Sequence, residues 1–227
     1  MEESVPATAK MSKKEQLAIA IQQRTGQLEL INASLSQLNE AWETVQAKTA
    51  QHGRFRSHLA GFYEEVDKLA KGKALFPATD MIVEDANNII RDAKALIDGD
   101  VYIDRLKEFV PAGDNPVYPD ILMASRTVQQ ALSRFGESLQ ARKKKLAAAI
   151  SEAETIKCAL EFFVEHEGHI ATKEEVELNI DKVDDSWFED SDENEEDESQ
   201  PFEFSRLDDL DLSEHFKGVL TAIDAQG

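Results

Sequence analysis

Between residues 121 and 163, alternating steps of four and three land on Ile121, Ser125, Val128, Leu132, Phe135, Leu139, Arg142, Leu146, Ala149, Ala153, Ile156, Leu160 and Phe163. This is a heptad seam without a register slip, and apolar side chains repeating every 3.5 positions are what two helices need to wind around each other. The segment therefore reads as one continuous helix, roughly 65 Å long at 1.5 Å per residue, and it requires a partner.

A second seam supplies one. Leu17, Ile21, Arg24, Leu28, Ile31, Leu35, Leu38, Trp42 and Val45 follow the same steps. Ser12 with Glu15 has the spacing of a capping box at the start of this helix. The seam resumes as Phe55, Leu59, Phe62, Val66 and Leu69, but only after a three-residue step from His52, beside Gly53. Such a stammer overwinds the helix locally, and a bend or a stop near Gly53 is expected. Ile82, Ala86, Ile89, Ala93 and Leu96 form a third run closed by Gly99, and residues 100–110 read as a short helix burying Tyr102, Leu106 and Phe109. Residues 111–119 hold three prolines and read as a loop, after which Asp120 caps the long helix.

The fold class is thus all-α. It is expected to be a long antiparallel coiled-coil hairpin or an elongated helical bundle with a small helical head, followed by a disordered acidic tail. The organisation runs from a disordered N-terminus (residues 1–11) through a coiled-coil body (12–168) and a linker (169–183) to the tail (184–227). The long helix should end near Gly168. For Val176, Leu178 and Ile180, capping-box spacing from Thr172 to Glu175 competes with strand-like alternation, and the two readings stay open.

The formal net charge of −20 is unevenly spread. Residues 1–173 carry 22 Lys and Arg against 25 Asp and Glu, whereas residues 174–211 carry 2 against 18. The body is nearly neutral and the charge belongs to the C-terminal segment. An acidic chain repels phosphate backbones, so direct nucleic-acid binding is disfavoured. Cys158 is the single cysteine, which excludes an intrachain disulfide and a cysteine-framed zinc site and fits a reducing compartment. No stretch approaches the ~20 apolar residues of a membrane span, so a cytoplasmic location, or a nuclear one, is expected without membrane insertion.

Catalytic signatures are missing from the sequence. No two glycines lie closer than eight positions, too far apart for a dinucleotide fingerprint, a Walker loop or a serine-hydrolase elbow. None of the five histidines has a Glu three positions before it, as di-iron bundles require. Cys158, Glu161, Glu165, His166 and His169 are read as polar residues on a helix end rather than as metal ligands. No enzyme activity, cofactor or metal is expected.

The tail carries more than charge. Trp187 and Phe188 sit among acids, and Phe202, Phe204, Leu207 and Leu210 follow the most acidic run. Carboxylates speed encounter with a basic partner and rings supply contact area, so these six residues are the candidate partner-binding set. A short amphipathic helix on Phe216, Val219 and Ile223 closes the chain, too short to be stable alone. Ser186 and Ser191 lie in contexts that suit acidophilic kinases. Arg142, Lys143, Lys144 and Lys145 form the one dense basic run, a candidate docking patch for the chain's own tail. The function expected is that of a non-enzymatic coiled-coil scaffold or adaptor binding a protein with a basic or partly apolar surface through the tail. The alternative is an acidic chaperone or mimic for basic proteins such as histones. A homo-oligomer through the exposed edge of the long helices is compatible with both.

Overall fold

A computed structural model describes residues 11–73, 76–110, 116–188 and 200–225. The chain is mostly helical: α1 (Lys13–Lys73), α2 (Asp80–Leu96), α3 (Val101–Asp104), α4 (Tyr118–Glu165), α5 (Lys173–Glu177), a 3-10 turn (Asp185–Trp187), α6 (Phe204–Asp208) and α7 (Leu212–Asp224). Among the described residues no strand forms, only isolated bridges such as Pro77 with Val117 and Phe188 with Phe202. Residues 1–10, most of the proline-rich connection (111–115) and the densest acidic run (189–199) lie outside the described residues.

Helix α1 packs on α4, and the two heptad seams are the contact. On α4 every seam position from Ile121 to Phe163 is buried except Phe135, which is half-buried. On α1 burial begins with Arg24 and is fullest at Ile31, Leu38 and Val66, while Leu17 remains exposed. Two compact units result: Met1–Ala41 with Lys145–Ala225, and Trp42–Lys144. The described residues of the linker and the acidic segment belong to the first unit.

Local signals fix the helix ends. Ser12 and Glu15 make the reciprocal bonds of a capping box, the Ser12 amide donating to Glu15 Oε2 at 2.8 Å and the Glu15 amide to Ser12 Oγ at 3.3 Å. These bonds hold the Glu15 carboxyl below its ordinary pKa. At the start of α4 the Asp120 carboxylate accepts the Val117 amide. Pro119 is harmless there because first-turn amides have no intrahelical acceptor.

In the second unit α1 runs through Gly53 without a break, so the helix does not stop there. The reason lies one residue earlier. His52 Nε2 donates to the Leu132 carbonyl of α4 at 2.9 Å, and its ring lies 6.0 Å from that of Phe135. The imidazole reaches this main-chain acceptor because Gly136 has no side chain; a Cβ there would stand 2.9 Å from His52 Cε1. The stammer position thus holds a polar bond between helices. Further contacts place Trp42 with Lys143 and Tyr63 with Arg126, so residue number falls along α4 as it rises along α1.

Helix α2 buries Ile82, Ala86, Ile89, Ala93 and Leu96 in one core with Phe55, Phe62, Ile121 and Leu132, as its periodicity predicts. Gly99 takes φ +80°, the left-handed conformation that turns the chain into α3. The helix expected over residues 100–110 is only one turn. It buries Ile103 and leaves Tyr102 61% exposed under the Arg134 guanidinium, because Asp100 caps the amides of Tyr102 and Ile103 and so sets which side faces inward. Leu106 and Phe109 are half-buried, the latter fixed by two bonds to the Asn87 side chain. Burial disfavours the charged Asp100 carboxylate, but the bonds from Arg134 and the two amides outweigh it and hold its pKa below the ordinary value. Its stabilisation is therefore present above the unfolded carboxyl pKa and is lost as pH falls through the depressed folded one.

Replacing Gly136 by Ala tests the helix contact. Ala favours a helix interior by about 1 kcal/mol over Gly, yet thermal melting should show Gly136→Ala to be destabilising, because the methyl displaces His52. In a His52→Ala background the same change should be stabilising, as should Gly61→Ala, where nothing lies within 4 Å. Identical shifts in both backgrounds would remove the contact from the account.

Candidate functional site

The described residues of the charged C-terminal segment are built into the first unit. α4 stops where Glu167 and Gly168 adopt φ 53° and 92°, and the Gly168 amide donates back to the Phe163 carbonyl at 2.8 Å. The strand-or-helix ambiguity resolves as a helix: Thr172 and Glu175 complete a capping box, and α5 buries Val176. The segment beyond is strapped to α4, with Ser151 Oγ donating to the Lys182 carbonyl and the Asp184 amide to Thr155 Oγ1, both at 2.9 Å. Ser151 and Thr155 are buried polar groups on α4; the strap gives Ser151 its acceptor and Thr155 a donor, while the Thr155 hydroxyl itself donates to the Ser151 carbonyl at 2.9 Å.

Trp187 and Phe188 then meet the returning chain. The Glu203 amide donates to the Trp187 carbonyl, the Phe202 amide to the Ala171 carbonyl, and the Lys173 amide to the Gln200 carbonyl, each at 2.9 Å. Side chains close the arrangement. The Trp187 and Phe202 rings stack with centroids 5.7 Å apart, Phe202 meets Phe204 edge-on at 4.9 Å, and Phe204 meets Phe163 of α4 at 5.1 Å. Offset and edge contacts at such separations add to the area these rings bury. Arg206 lies over the Trp187 ring and donates to the Ser186 carbonyl.

Arg24, the charge that interrupts the α1 seam, is the polar centre. Its side chain is 10% exposed and its guanidinium donates to both carboxylate oxygens of Asp208, Nη1 to Oδ1 at 2.7 Å and Nη2 to Oδ2 at 3.2 Å. Nη1 also reaches Gln27 Oε1 at 2.8 Å, and the Phe204 ring covers the group with its centre 4.6 Å from Cζ. Gln27 in turn donates to the Leu207 carbonyl at 3.3 Å. Planar bidentate pairing, amide support and a stacked ring are what a buried guanidinium requires. Asp211 caps α7, whose Leu212, Phe216 and Ile223 are buried, and His215 Nε2 lies 3.1 Å from Glu152 Oε1 of α4.

Five of the six candidate partner-binding residues are therefore core: Trp187, Phe188, Phe202, Phe204 and Leu207 are each at most 7% exposed, and Leu210 is half-buried. The expectation of a disordered segment beginning at Asp184 is corrected for residues 184–188 and 200–225. Average composition hides the fact that the apolar residues share a face and that α1 and α4 offer them a surface. Of the predicted basic patch, Arg142 is buried on the seam, Lys143 is half-buried with Nζ 5.7 Å from the Trp42 ring centre, and Lys144 and Lys145 are exposed. Arg24 pairs with Asp208 and Lys173 lies 2.9 Å from Asp185, while within the segment Arg206 pairs with Glu203 and Lys217 with Glu214. Sequence reading missed Ser151, Thr155 and Gln27. The signal for Arg24 was its place on an otherwise apolar seam.

The remaining polar cluster is loosely arranged. His166 stacks on Phe162 with centroids 4.1 Å apart, and among the described residues no three His, Cys, Asp or Glu side chains are grouped as a metal site would need. Burial, with the Glu161 charge beside it, pushes the Cys158 thiol above its ordinary pKa, the opposite of an activated nucleophile. Ser186 is exposed, while Ser191 lies outside the described residues. Among the described residues no helix is long and apolar enough to cross a membrane. Comparison with known proteins adds no family: no family, curated protein or solved structure matches the chain.

Substitution at the Arg24 pair should read out as stability. Arg24→Ala should cost about 2–4 kcal/mol, because it takes the bidentate donor from Asp208, which keeps only Gln23 Nε2 at 3.2 Å, leaves Gln27 Oε1 without its donor and uncovers Phe204. Asp208→Asn, on the exposed side of the pair, should cost about 1 kcal/mol. The double variant should melt close to Arg24→Ala alone. Additive losses would mean that the two side chains act independently.

Proposed function

We propose that this is a non-enzymatic adaptor in which the two long helices form one antiparallel coiled-coil hairpin and the acidic C-terminal segment receives a basic protein partner. The observation that carries this reading is the division of roles within that segment. Its aromatics are inside, whereas Glu174, Glu177, Asp185, Asp209, Asp211 and Glu214 are exposed. The rings anchor the segment and the carboxylates stay at the surface, Asp185 and Glu177 beside Lys173, Glu214 beside Lys217 and Asp211 at the start of α7, where a cationic partner can reach them. Eight of the eleven residues in 189–199 are also acidic. Charge of this density steers encounter with a cationic surface and rejects anionic ones. The reading places the protein in the cytoplasm or nucleus.

The burial of Trp187 and Phe204 also favours the second reading, an acidic chaperone that shields basic clients such as histones, since few rings remain to supply apolar contact. The two differ in salt dependence. A shield held by charge alone loses most of its affinity between low and physiological ionic strength, where the screening length shrinks to about 8 Å. An adaptor with a shaped interface keeps a substantial part.

The test is titration of the full chain with a lysine-rich polypeptide and with basic proteins, beside a variant carrying Asn and Gln at the acids of 189–198. Binding by the native chain and at least about a tenfold loss in the variant are expected, while Phe204→Ala should lower the melting temperature. No binding to any cationic partner even at low salt would overturn both readings.

A further inference from the structure

The second unit holds a cleft of about 740 Å³ that the reading above does not use. One wall is α1 from Thr49 to Glu64, and the other is α4 from Gln129 to Gln140. Along α1 the lining recurs at 49, 52, 56, 60 and 63–64, and along α4 at 129, 132–133, 136–137 and 140. Steps of three and four on both walls mean a trough parallel to the helix axes, about four turns or roughly 22 Å long. Leu59, Leu132 and Leu139 are its apolar floor, and Ala60 and Ser133 keep its walls low enough for close approach. A trough of this form between two helices is the seat of a third helix.

Charge chooses the occupant. Arg56 and Glu64 both line the trough and are exposed, and among the described residues neither has an ion pair. They stand eight residues apart on α1, with Ala60, a small exposed residue, midway. A two-fold axis through Ala60 places Arg56 of each copy opposite Glu64 of the other, twice over, with no side-chain bulk where the helices cross. Such self-complementarity is what an isologous interface requires.

We propose that the trough is filled by α1 of a second copy of this chain, antiparallel to the first, giving a dimer centred on Ala60. The proposal goes beyond the partner-binding reading and does not depend on it, since the carboxylates invoked there lie in the first unit. Glu137 on the α4 wall adds an acceptor beside the docked helix.

Sedimentation equilibrium of the full chain across the micromolar range should give a monomer–dimer equilibrium. Arg56→Glu and Glu64→Arg, each turning two attractive contacts repulsive, should lower the association constant by about tenfold or more. The combined variant should recover most of it, because the pairs are restored with their signs exchanged. Ala60→Trp should leave a monomer at every concentration, with far-ultraviolet circular dichroism confirming an unchanged helical fold. A native chain that stays monomeric, single reversals that associate as the native chain does, or a combined variant weaker than either single one would each overturn the proposal. So would a monomer that holds a helix of another protein in the trough.

Discussion

A guanidinium cannot remain in an apolar helix seam without acceptors, because removing its charge from water costs several kcal/mol that packing does not return. Arg24 occupies such a position, and the first unit is arranged to answer it. Asp208 comes from 184 residues further along the chain, and Gln27 and Phe204 complete the shell. To deliver Asp208 the chain must return to α1, which brings α6 and Phe204 against Arg24 and Gln27. The ion pair specifies this placement. The energy comes from the apolar side chains that arrive with it, each contributing about 1.5–3 kcal/mol when fully buried.

The helices were legible because they rest on local rules. Ser12 with Glu15, Thr172 with Glu175 and the glycine at 168 mark ends by backbone hydrogen bonding, which needs no knowledge of the rest of the chain. The seams were legible because a 3.5-residue period leaves little choice of buried face. Gly53 misled as a stop because glycine permits a helix end without requiring one, and α1 continues through it with His52 bonded to α4. Tyr102 misled because hydrophobic size was read without the Asp100 cap that sets the phase of that turn.

The C-terminal segment was hidden for a different reason. Its average composition is that of a disordered chain, and an average cannot register that Phe202, Phe204 and Leu207, then Leu212, Phe216 and Ile223, fall on faces that can be covered. Nor could the receiving surface be seen, since its polar partners Ser151, Thr155 and Arg24 are scattered over two helices and look like interruptions of a core. Folded in this way, the described residues of the segment keep Trp187, Phe188, Phe202 and Phe204 inside and Asp185, Asp209, Asp211 and Glu214 outside. Under the proposed reading, the carboxylates of 200–225, held on a packed scaffold, would meet a partner with less ordering cost than those on a free tail.

The central claim is that residues 200–225 belong to the folded core. Amide hydrogen exchange on the full chain, followed residue by residue, tests this most directly, since protection reports the free energy of opening at each site. The account predicts that the amides of α7 and the Phe202 and Glu203 amides exchange with protection approaching that of α4 from Ala149 to Phe163. Exchange across 200–225 at the rate of an unstructured peptide, with α4 still protected, would contradict it.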